Sequence, residues 1–291
     1  MNEYLTTKEL AELLRIKERK VYDLAASGEI PCSRAMGKLL FPRLAIDAWL
    51  AENSSGFTAP SSVPRPNVFL GSHDPLLDWA LRESRCGLAT FLDGSFDGLD
   101  RFARGEGIAA GLHIFTPETG DWNTGAVADR FADARAVLVE WAWRERGLIV
   151  ALDDAATIDG VTALRGRRVI PRQTEAGSQR FLEHLMAEGG LGADDVAFTA
   201  PARSENDAAL AVLEGKADAA FGLKALASQY RLGFAPVATE RFDLLVDRRS
   251  WFEPPMQTLL EFCRSAPFHA KAKELQGYDI GTLGRVHFNG A

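Results

Sequence analysis

The 291-residue sequence lacks several features that would place it in particular protein classes. It has no run of ~18 apolar residues, so no segment is long enough for a transmembrane helix. Its three cysteines, Cys32, Cys86 and Cys263, are odd in number and widely spaced, and they predict neither a disulfide framework nor a zinc cluster. The first residues lack the basic and apolar segments of a signal peptide. We therefore expect a reduced, cytoplasmic protein with no membrane partner.

The composition is that of an ordinary globular protein, with 46% apolar and 25% charged residues. A largely disordered chain and a fibrous chain are thereby excluded, and the length predicts two or three domains at ~150 residues each. The net charge of −7 at first argues against a nucleic-acid partner. Residues 1–53, however, carry eight basic and eight acidic side chains, so the negative excess lies entirely after them. Local potential rather than net charge decides whether phosphates are attracted.

Residues 54–66 are rich in serine, proline and glycine and offer little to bury. Such a segment is typical of an extended linker. It divides the chain into a predicted domain over 1–53 and a predicted domain over 67–291.

The first domain shows the element order of a winged helix-turn-helix. Thr6 followed by Glu9 has the spacing of a capping box, which predicts a helix start. Ser27-Gly28 is a helix-stop signal. The predicted elements are a helix through Leu14, a helix from Glu18 to Ala26, a hairpin over 29–42 that turns at Gly37-Lys38, and a helix from Arg43 to Glu52.

The same region resembles the excisionase or MerR-like helix-turn-helix family over nearly all of residues 3–52. The resemblance rests on the runs Tyr4–Leu14, Val21-Tyr22, Gly28–Pro31 and Ala48–Leu50. It implies double-stranded DNA as a partner. One departure is Lys17, which stands where the family usually has a Ser or Thr that caps the second helix. That cap is lost or supplied otherwise, and Lys17 contacts phosphate instead in our interpretation.

Six side chains of this domain are predicted to contact DNA. Side chains near the start of the second helix can reach base edges in the major groove, and these are Arg19, Lys20 and Tyr22. Those expected to hold the sugar-phosphate backbone are Lys17, Arg34 and Lys38. The alternative is that these are solvated charges on a protein-interaction module.

In the second domain, short apolar runs alternate with amphipathic helical stretches. This alternation predicts an α/β fold with a mostly parallel sheet, helices on both faces and two lobes around a cleft. The predicted strands are at 68–70, 89–91, 108–110, 137–139, 148–150, 169–170, 219–221 and 244–246. The predicted helices include 75–84, 96–104, 179–188 and 206–214.

Aromatic and apolar residues elsewhere in this domain are expected to pack rather than to bind. Trp141 and Trp143 flank a predicted strand, and we expect them in a core or in a dimer interface. After Trp251, Leu259, Leu260 and Phe262 have helical spacing and predict a packed terminal helix.

Three corners between a strand and a helix carry small residues and hydroxyls, at 71–75, 93–99 and 171–180. Helix N-termini offer unpaired amide groups and a positive dipole end, which favour an anion. The predicted ligand-binding residues are Ser72, His73, Ser95, Arg172, Thr174, Ser178 and Arg180. The alternative is that each serine only caps its own helix.

An ordered series of motifs in this domain looks like the periplasmic-binding-protein-like sensor domain that is fused to helix-turn-helix modules in bacterial regulators. The motifs include Gly71–Pro75, Gly94–Leu99, Thr119–Asn123, Arg144–Val150 and Gly215–Gly222. The family is similar to molybdate- and tungstate-binding proteins. The resemblance implies a type II fold of two α/β lobes that close on an oxyanion, with Ser72, Ser95 and the loop 174–178 lining the cleft.

Three departures from the motifs of that family leave the identity of the ligand undecided. Glu175 adds a negative charge, Gln179 replaces a hydroxyl, and Ser204-Glu205 replaces a Thr-His pair. A carboxylate beside a dianion is repulsive unless it is protonated or aimed away. Besides molybdate and tungstate, an organic carboxylate or a sulfur oxyanion is therefore a candidate effector.

Catalytic motifs are not evident. His73 and His113 lie near serines, but the sequence has neither a Gly-x-Ser-x-Gly elbow nor a His-Glu-x-x-His metal motif. His73 is a candidate for contact with the ligand, as a neutral or charged donor. We expect His113 to be structural or near the hinge.

The sequence as a whole predicts a ligand-responsive transcription regulator. It is expected to bind double-stranded DNA and a small anionic effector, as a homodimer or higher oligomer, without cofactor or metal. The alternative is a two-lobe α/β enzyme that acts on a small anionic substrate and carries an N-terminal interaction module. A solute-binding protein of a transporter is disfavoured by the fused module.

Overall fold

A computed structural model describes residues 4–35, 37–52, 64–174 and 176–291. The chain divides into two compact units, Met1–Pro64 and Arg65–Ala291. Most of the predicted linker, residues 54–63, lies outside the described part. No helix within the described ranges is both long and apolar enough to cross a membrane.

The described part of the first unit contains three helices and a three-stranded antiparallel sheet. In chain order the elements are β1 Tyr4–Thr6, α1 Thr7–Leu14, α2 Glu18–Ser27, β2 Ser33–Ala35, β3 Lys38–Pro42 and α3 Arg43–Glu52. The sheet order is β1-β3-β2. The predicted helix-turn-helix with its hairpin is confirmed, whereas β1 is not among the predicted elements. It forms because Leu5 is buried opposite Phe41 of β3.

Local signals in this unit act as the sequence predicts. The Thr6 hydroxyl accepts the Glu9 amide at 3.3 Å, and the Glu9 carboxylate accepts the Thr6 amide at 2.8 Å, which completes the capping box. Gly28 ends α2 with φ of 75°, a left-handed conformation that glycine adopts without strain. The core of the unit consists of Leu5, Leu10, Ala11, Val21, Ala25, Ile30, Phe41 and Ile46.

The second unit alternates strands and helices along most of its length. It begins with β4 Val68–Gly71, α4 Pro75–Glu83, β5 Ala89–Phe91, α5 Ser95–Ala103, β6 Ala109–Leu112, β7 Phe115–Thr116, β8 Asp121–Trp122 and α6 Thr124–Phe131. Next come β9 Ala136–Val150, β10 Arg168–Ile170, α7 Gly177–Glu188, β11 Ala197–Phe198, α8 Glu205–Leu213, β12 Ala219–Leu223 and α9 Lys224–Tyr230. The chain returns through β13 Gly233–Asp247, α10 Pro254–Phe262, α11 Ala266–Leu275, β14 Tyr278–Asp279 and β15 Val286–Asn289.

One continuous sheet joins the two lobes, in the order β11-β10-β12-β9-β13-β6-β4-β5, with β14 and β15 also paired to β9. Strands β4, β5 and β6 belong to the first lobe, and β10, β11 and β12 to the second. The 15-residue strands β9 and β13 pair antiparallel along most of their length and run through both lobes. The result is the predicted two-lobe α/β architecture.

Two expectations about this sheet are wrong. The separate strands predicted at 137–139 and 148–150 are the two ends of β9, and the sheet is mixed rather than mostly parallel. The reason is that β9 carries the chain from the first lobe to the second and β13 carries it back, so the two strands must run in opposite directions. Parallel pairing is confined to the outer strands of each lobe.

Each lobe has its own apolar core. In the first lobe, Phe69, Leu76 and Phe242 are buried together with Trp141, which the sequence predicts in a core or an interface. The predicted terminal helix corresponds to α10, whose Leu259 is buried in the same cluster. In the second lobe, Leu148, Val169 and Phe221 pack in one cluster with apolar residues of α7.

Arg65, at the end of the predicted linker, is bound to the first lobe. Its guanidinium donates to the carbonyl oxygens of Phe102 at 2.6 Å and Gly107 at 3.0 Å, and it lies 3.4 Å from the Asp247 carboxylate. The compact body of the second unit therefore includes Arg65.

Candidate functional site

A cavity of about 70 Å³ lies between the lobes of the second unit. The first lobe contributes to its lining Ser72, His73, Asp93 and His113. The second lobe contributes Arg172, Ser178, Arg203 and Glu205. The lining therefore combines hydroxyls, imidazoles, guanidinium groups and carboxylates with apolar side chains such as Leu92.

Three glycines let the first lobe bring its corners together beneath the cavity. A Cβ on Gly98 of α5 would lie 2.2 Å from the Cα of Gly71, and a Cβ on Gly71 would lie 2.3 Å from the carbonyl oxygen of Gly111. Real Cβ atoms cannot approach so closely, so α5 sits against the ends of β4 and β6 only because these positions lack side chains. This close packing places the start of α5 beside Ser72.

The serines of the first lobe form a buried chain of hydrogen bonds. The hydroxyls of Ser72 and Ser95 are 2.8 Å apart, and the Ser95 hydroxyl also accepts the His113 amide at 3.0 Å. Ser95 is completely buried, so its proton is best satisfied by donation to Ser72 Oγ. The proton of Ser72 is then available to a group in the cavity.

None of the three predicted serines is the cap of its helix. The N-cap of α4 is Asp74, whose carboxylate accepts the Leu77 amide at 2.7 Å. Gly94 and Ala176 stand at the N-caps of α5 and α7, and neither helix start has a side-chain cap within the described residues. The alternative in which the serines serve only as caps is therefore not supported.

The structure brings Ser178 to the same cavity from the second lobe. Ser178 is buried in the first turn of α7, and its hydroxyl has no hydrogen-bond partner among the described residues. Gly177 allows this turn to approach the end of β6, because a Cβ there would lie 2.8 Å from the carbonyl oxygen of His113. Helix starts from both lobes therefore face one small space.

Arg172 and His73 also line the cavity, in different surroundings. The Arg172 guanidinium donates to the carbonyl oxygen of Ala202 at 3.1 Å, while its Nε is buried without a partner in the described ranges. Burial lowers the pKa of Arg172, and Glu205 opposes that shift. His73 is exposed, with Nε2 3.9 Å from the Asp78 carboxylate.

Thr174 and Arg180 lie outside the cavity lining. Arg180 Nε donates to the Thr174 carbonyl oxygen at 3.4 Å, and the guanidinium lies 4.3 Å from the ring centroid of Phe96 in α5. Arg180 thus contacts the opposite lobe at the edge of the cleft, in a cation–π arrangement. Glu175, which the sequence suggests as an added charge, lies outside the described residues.

A buried ionic network beneath the cavity is absent from the sequence-based predictions. Arg144 bonds Asp74 at 2.9 Å and contacts Glu240, and Arg146 bonds Glu240 at 2.7 Å and Glu205 at 2.9 Å. The network therefore runs from the first-lobe corner at Asp74, across the long strands, to the second-lobe corner at Glu205. Its signal in the sequence is the run of three consecutive charged residues within β9, Arg144, Glu145 and Arg146, which is unusual for a buried strand.

The opposite charges of this network stabilise one another in their ionised forms. Burial acts to raise the pKa of Glu240 and of Glu205, but the adjacent arginines outweigh it and hold both pKa values below the ordinary range. Burial lowers the pKa of His113, which lies 3.3 Å from Glu240 through Nδ1. Both carboxylates are thus ionised at neutral pH, and His113 is neutral. His113, expected to be structural or near the hinge, lines the cavity.

In the first unit, the six predicted DNA-contacting side chains are all exposed. Tyr22 is 52% exposed on α2. The basic members form no ion pair with any described residue. They are Lys17, Arg19, Lys20, Arg34 and Lys38. Contact with DNA stays a prediction for each of them.

The departure at Lys17 is visible in the structure. Lys17 is the N-cap of α2, in extended conformation, and it makes no side-chain cap hydrogen bond. The amide groups at the start of α2 therefore lack the usual Ser or Thr cap. This leaves the first turn of the helix exposed with a lysine beside it.

Comparison with known families assigns both units. Residues 79–264 match the PBP superfamily domain, and the chain belongs to this superfamily. Residues 4–54 match a helix-turn-helix domain. A helix-turn-helix of the excisionase-like kind is thus fused to a periplasmic-binding-protein-like domain, as the motifs predict.

Two individual proteins extend the comparison. The chain is 24% identical over 299 residues to the uncharacterized protein YvgK of Bacillus subtilis strain 168, covering 97% of this chain and 96% of that protein. The regulatory domain of MetR, a LysR family regulator from N. meningitidis, superposes with a TM-score of 0.51 at 10% identity. The superposition covers 73% of this chain and 97% of that domain, and it supports the fold of the second unit. The combination of units is the architecture of a ligand-binding, DNA-binding regulator.

Proposed function

We propose that this protein is a one-component transcription regulator whose second unit binds a small anion and whose first unit binds double-stranded DNA. The observation that carries the proposal is the cavity between the lobes, where uncapped starts of α5 and α7 meet Ser72, Ser178 and Arg172. Amide groups, hydroxyls and a guanidinium are the donors that anions require. DNA binding implies that the protein works in the compartment of the chromosome.

The effector class is a compact oxyanion. A site for a drug-sized molecule usually has ~300–1,000 Å³, whereas this cavity has about 70 Å³. That volume suits a tetrahedral oxyanion of a few atoms better than a large organic acid. Molybdate and tungstate, which the sequence resemblance places first, belong to this class, and so do sulfate and phosphate.

Effector binding is proposed to change DNA affinity in a homodimer. The two long strands β9 and β13 join the lobes, so closure around an anion would move one lobe against the other about these strands. A ligand shifts such an equilibrium only by its unequal affinity for the two states. Symmetric operators favour dimers, which supports a dimer with two DNA-binding units. We propose binding rather than catalysis as the role of the cavity.

The first test is a thermal-shift panel of oxyanions and small carboxylates on the full chain. An anion that binds the folded protein at ~100 times its dissociation constant adds about 2.7 kcal/mol to stability. Ser178→Ala should reduce the thermal shift without unfolding the protein. Ser84 is half-buried and lies away from the cavity, so Ser84→Ala should leave the thermal shift unchanged. A shift that is equal in wild type and S178A would move the site elsewhere.

The second test measures DNA binding against salt concentration. Replacing Arg19 and Lys20 by alanine should weaken binding and reduce the slope of log affinity against log salt, by about 0.9 for each phosphate that is no longer neutralised. Arg82→Ala, at an exposed position of the second unit, is the control. Identical DNA affinity with and without saturating effector would contradict the proposed coupling.

A further inference from the structure

The cavity contains a hydrogen-bond acceptor as well as donors. Glu205 lines the cavity, and its Oε1 accepts a hydrogen bond from the Arg146 guanidinium at 2.9 Å. The other oxygen, Oε2, is buried and has no hydrogen-bond partner among the described residues. A cavity built only for a bare anion would not have a carboxylate with an unpaired oxygen in its lining.

The acceptor is strongly held in place and cannot simply turn away. Glu205 is the first residue of α8, and Arg146, which binds it, is fully buried and also bonded to Glu240. Arg146 keeps the pKa of Glu205 low against the opposing effect of burial, so the carboxylate is ionised. An ionised carboxylate repels an anion that has no hydrogen to place between them.

The donors are arranged on the other walls. Ser72 has a proton left for the cavity, Ser178 has no partner among the described residues, and the Arg172 guanidinium adds a positive charge. These groups bind unprotonated oxygens. A ligand that satisfies the whole lining therefore has several acceptor oxygens and at least one O–H.

We propose that the cavity selects compact tetrahedral oxyanions that carry a proton, of the hydrogenphosphate type, and that Glu205 is the specificity-determining residue that accepts this proton in a hydrogen bond. The proposal rests on the proposed function and narrows its effector class. Sulfate and molybdate carry no proton near neutral pH and leave the Glu205 carboxylate facing an oxygen. Hydrogenphosphate donates to it instead.

The test is isothermal titration calorimetry of the full chain near neutral pH, with inorganic phosphate, sulfate and molybdate as probes. Wild type is expected to bind phosphate about tenfold to a hundredfold more tightly than sulfate or molybdate. The difference arises because sulfate and molybdate leave the buried Glu205 carboxylate oxygen without a hydrogen bond. Glu205→Gln should reverse the order, because its amide donates to an unprotonated oxygen. Glu188→Gln, exposed on α7, should behave as wild type.

The outcomes separate the two proposals. If wild type binds sulfate or molybdate as tightly as phosphate, the proton-dependent selection is overturned while the anion-binding function stands. This comparison needs no variant, so it decides the matter even if E205Q fails to fold. If wild type binds none of the three anions, the proposed effector class fails and the selection fails with it. If a folded E205Q protein has the same selectivity as wild type, Glu205 is not the specificity-determining residue.

Discussion

The two units use charged side chains in opposite ways. In the helix-turn-helix unit, Lys17, Arg19 and Lys20 stand in solvent without an ion-pair partner among the described residues. In the periplasmic-binding-protein-like unit, Arg144 and Arg146 are buried in direct contact with Glu240.

The environment decides what each charge does. An exposed charge contributes little to stability but is available for a phosphate. A buried charge is costly unless it is paired, so the network beneath the cavity is kept together by the penalty for breaking it. The fold of the second unit therefore depends on its buried charged residues, whereas Lys17, Arg19 and Lys20 contribute little to the fold of the first unit.

The largest expected effect comes from breaking the buried network. Arg144→Ala would leave Asp74 and Glu240 without their shared guanidinium, and we expect a decrease of about 3–5 kcal/mol in the free energy of unfolding. Arg82→Ala removes an exposed ion pair with Asp78 in the same unit and should cost less than about 1 kcal/mol. Urea unfolding of both variants measures the difference, and similar decreases would mean that burial does not separate the two pairs.

The next effect concerns pH. Burial raises the pKa of Asp243 to about 6, against the opposing influence of Arg241. As pH rises above 3.8, the unfolded chain ionises at this carboxyl before the folded protein does, so the contribution of Asp243 to the free energy of unfolding falls until about pH 6 and is then level. The fall amounts to about 3 kcal/mol for a shift of about two pKa units.

Asp243→Asn should abolish that contribution. The measurement is the free energy of unfolding of wild type minus that of D243N from pH 4 to 7. The carboxylates Glu205 and Glu240 have lowered pKa values and act in the opposite direction, so that acidification destabilises the fold through them, but they are common to both proteins. A difference that stays constant with pH would show that Asp243 does not titrate in this window.

A smaller effect is expected where the lobes touch. Gly177→Ala would place a Cβ 2.8 Å from the carbonyl oxygen of His113, and the crowding should cost about 1–3 kcal/mol and weaken anion binding. Gly125→Ala is the control, since its nearest neighbour would be Thr116 Oγ1 at 3.8 Å. Calorimetry with phosphate and thermal unfolding of both variants test the packing. Equal behaviour of G177A and G125A would argue against a close approach of α7 to the end of β6.

The smallest effect is expected in the first unit, where the substitution should increase rather than decrease the free energy of unfolding. Lys17→Ser restores a side-chain cap to α2 and should stabilise the unit by about 1 kcal/mol. The same change should weaken DNA binding and lower the salt slope by about 0.9, because one phosphate is no longer neutralised. Thermal unfolding and DNA titrations on one preparation give both values. Unchanged DNA affinity would show that Lys17 does not contact phosphate.

Local signals predict most elements of the chain. The capping box at Thr6 and the stop at Gly28 define the first two helices because their hydrogen bonds are made within a few residues. The short apolar strands of each lobe are also predictable from their sequence. The corner at Ser72 is predictable for the same reason, since small residues after a buried strand imply a turn into a helix.

The long strands escape prediction because their stability is non-local. The middle of β9 carries Arg144 and Arg146, which local patterning assigns to solvent, yet both are buried. Only partners far along the chain, Asp74, Glu205 and Glu240, make that burial tolerable. The charged residues within β9 mark that strand as unusual, but no local pattern identifies their distant partners.

By itself, the sequence determined the two kinds of domain, the helix ends and the three corners that carry serines, because each depends on residues that are neighbours along the chain. Tertiary structure alone decided that Ser95 supports Ser72 from beneath, that Arg180 contacts Phe96 across the cleft, and that Glu205 joins the cavity. The physical reason is that the identity of a buried charge's partner depends on how distant segments meet, and burial sets whether that charge is compensated.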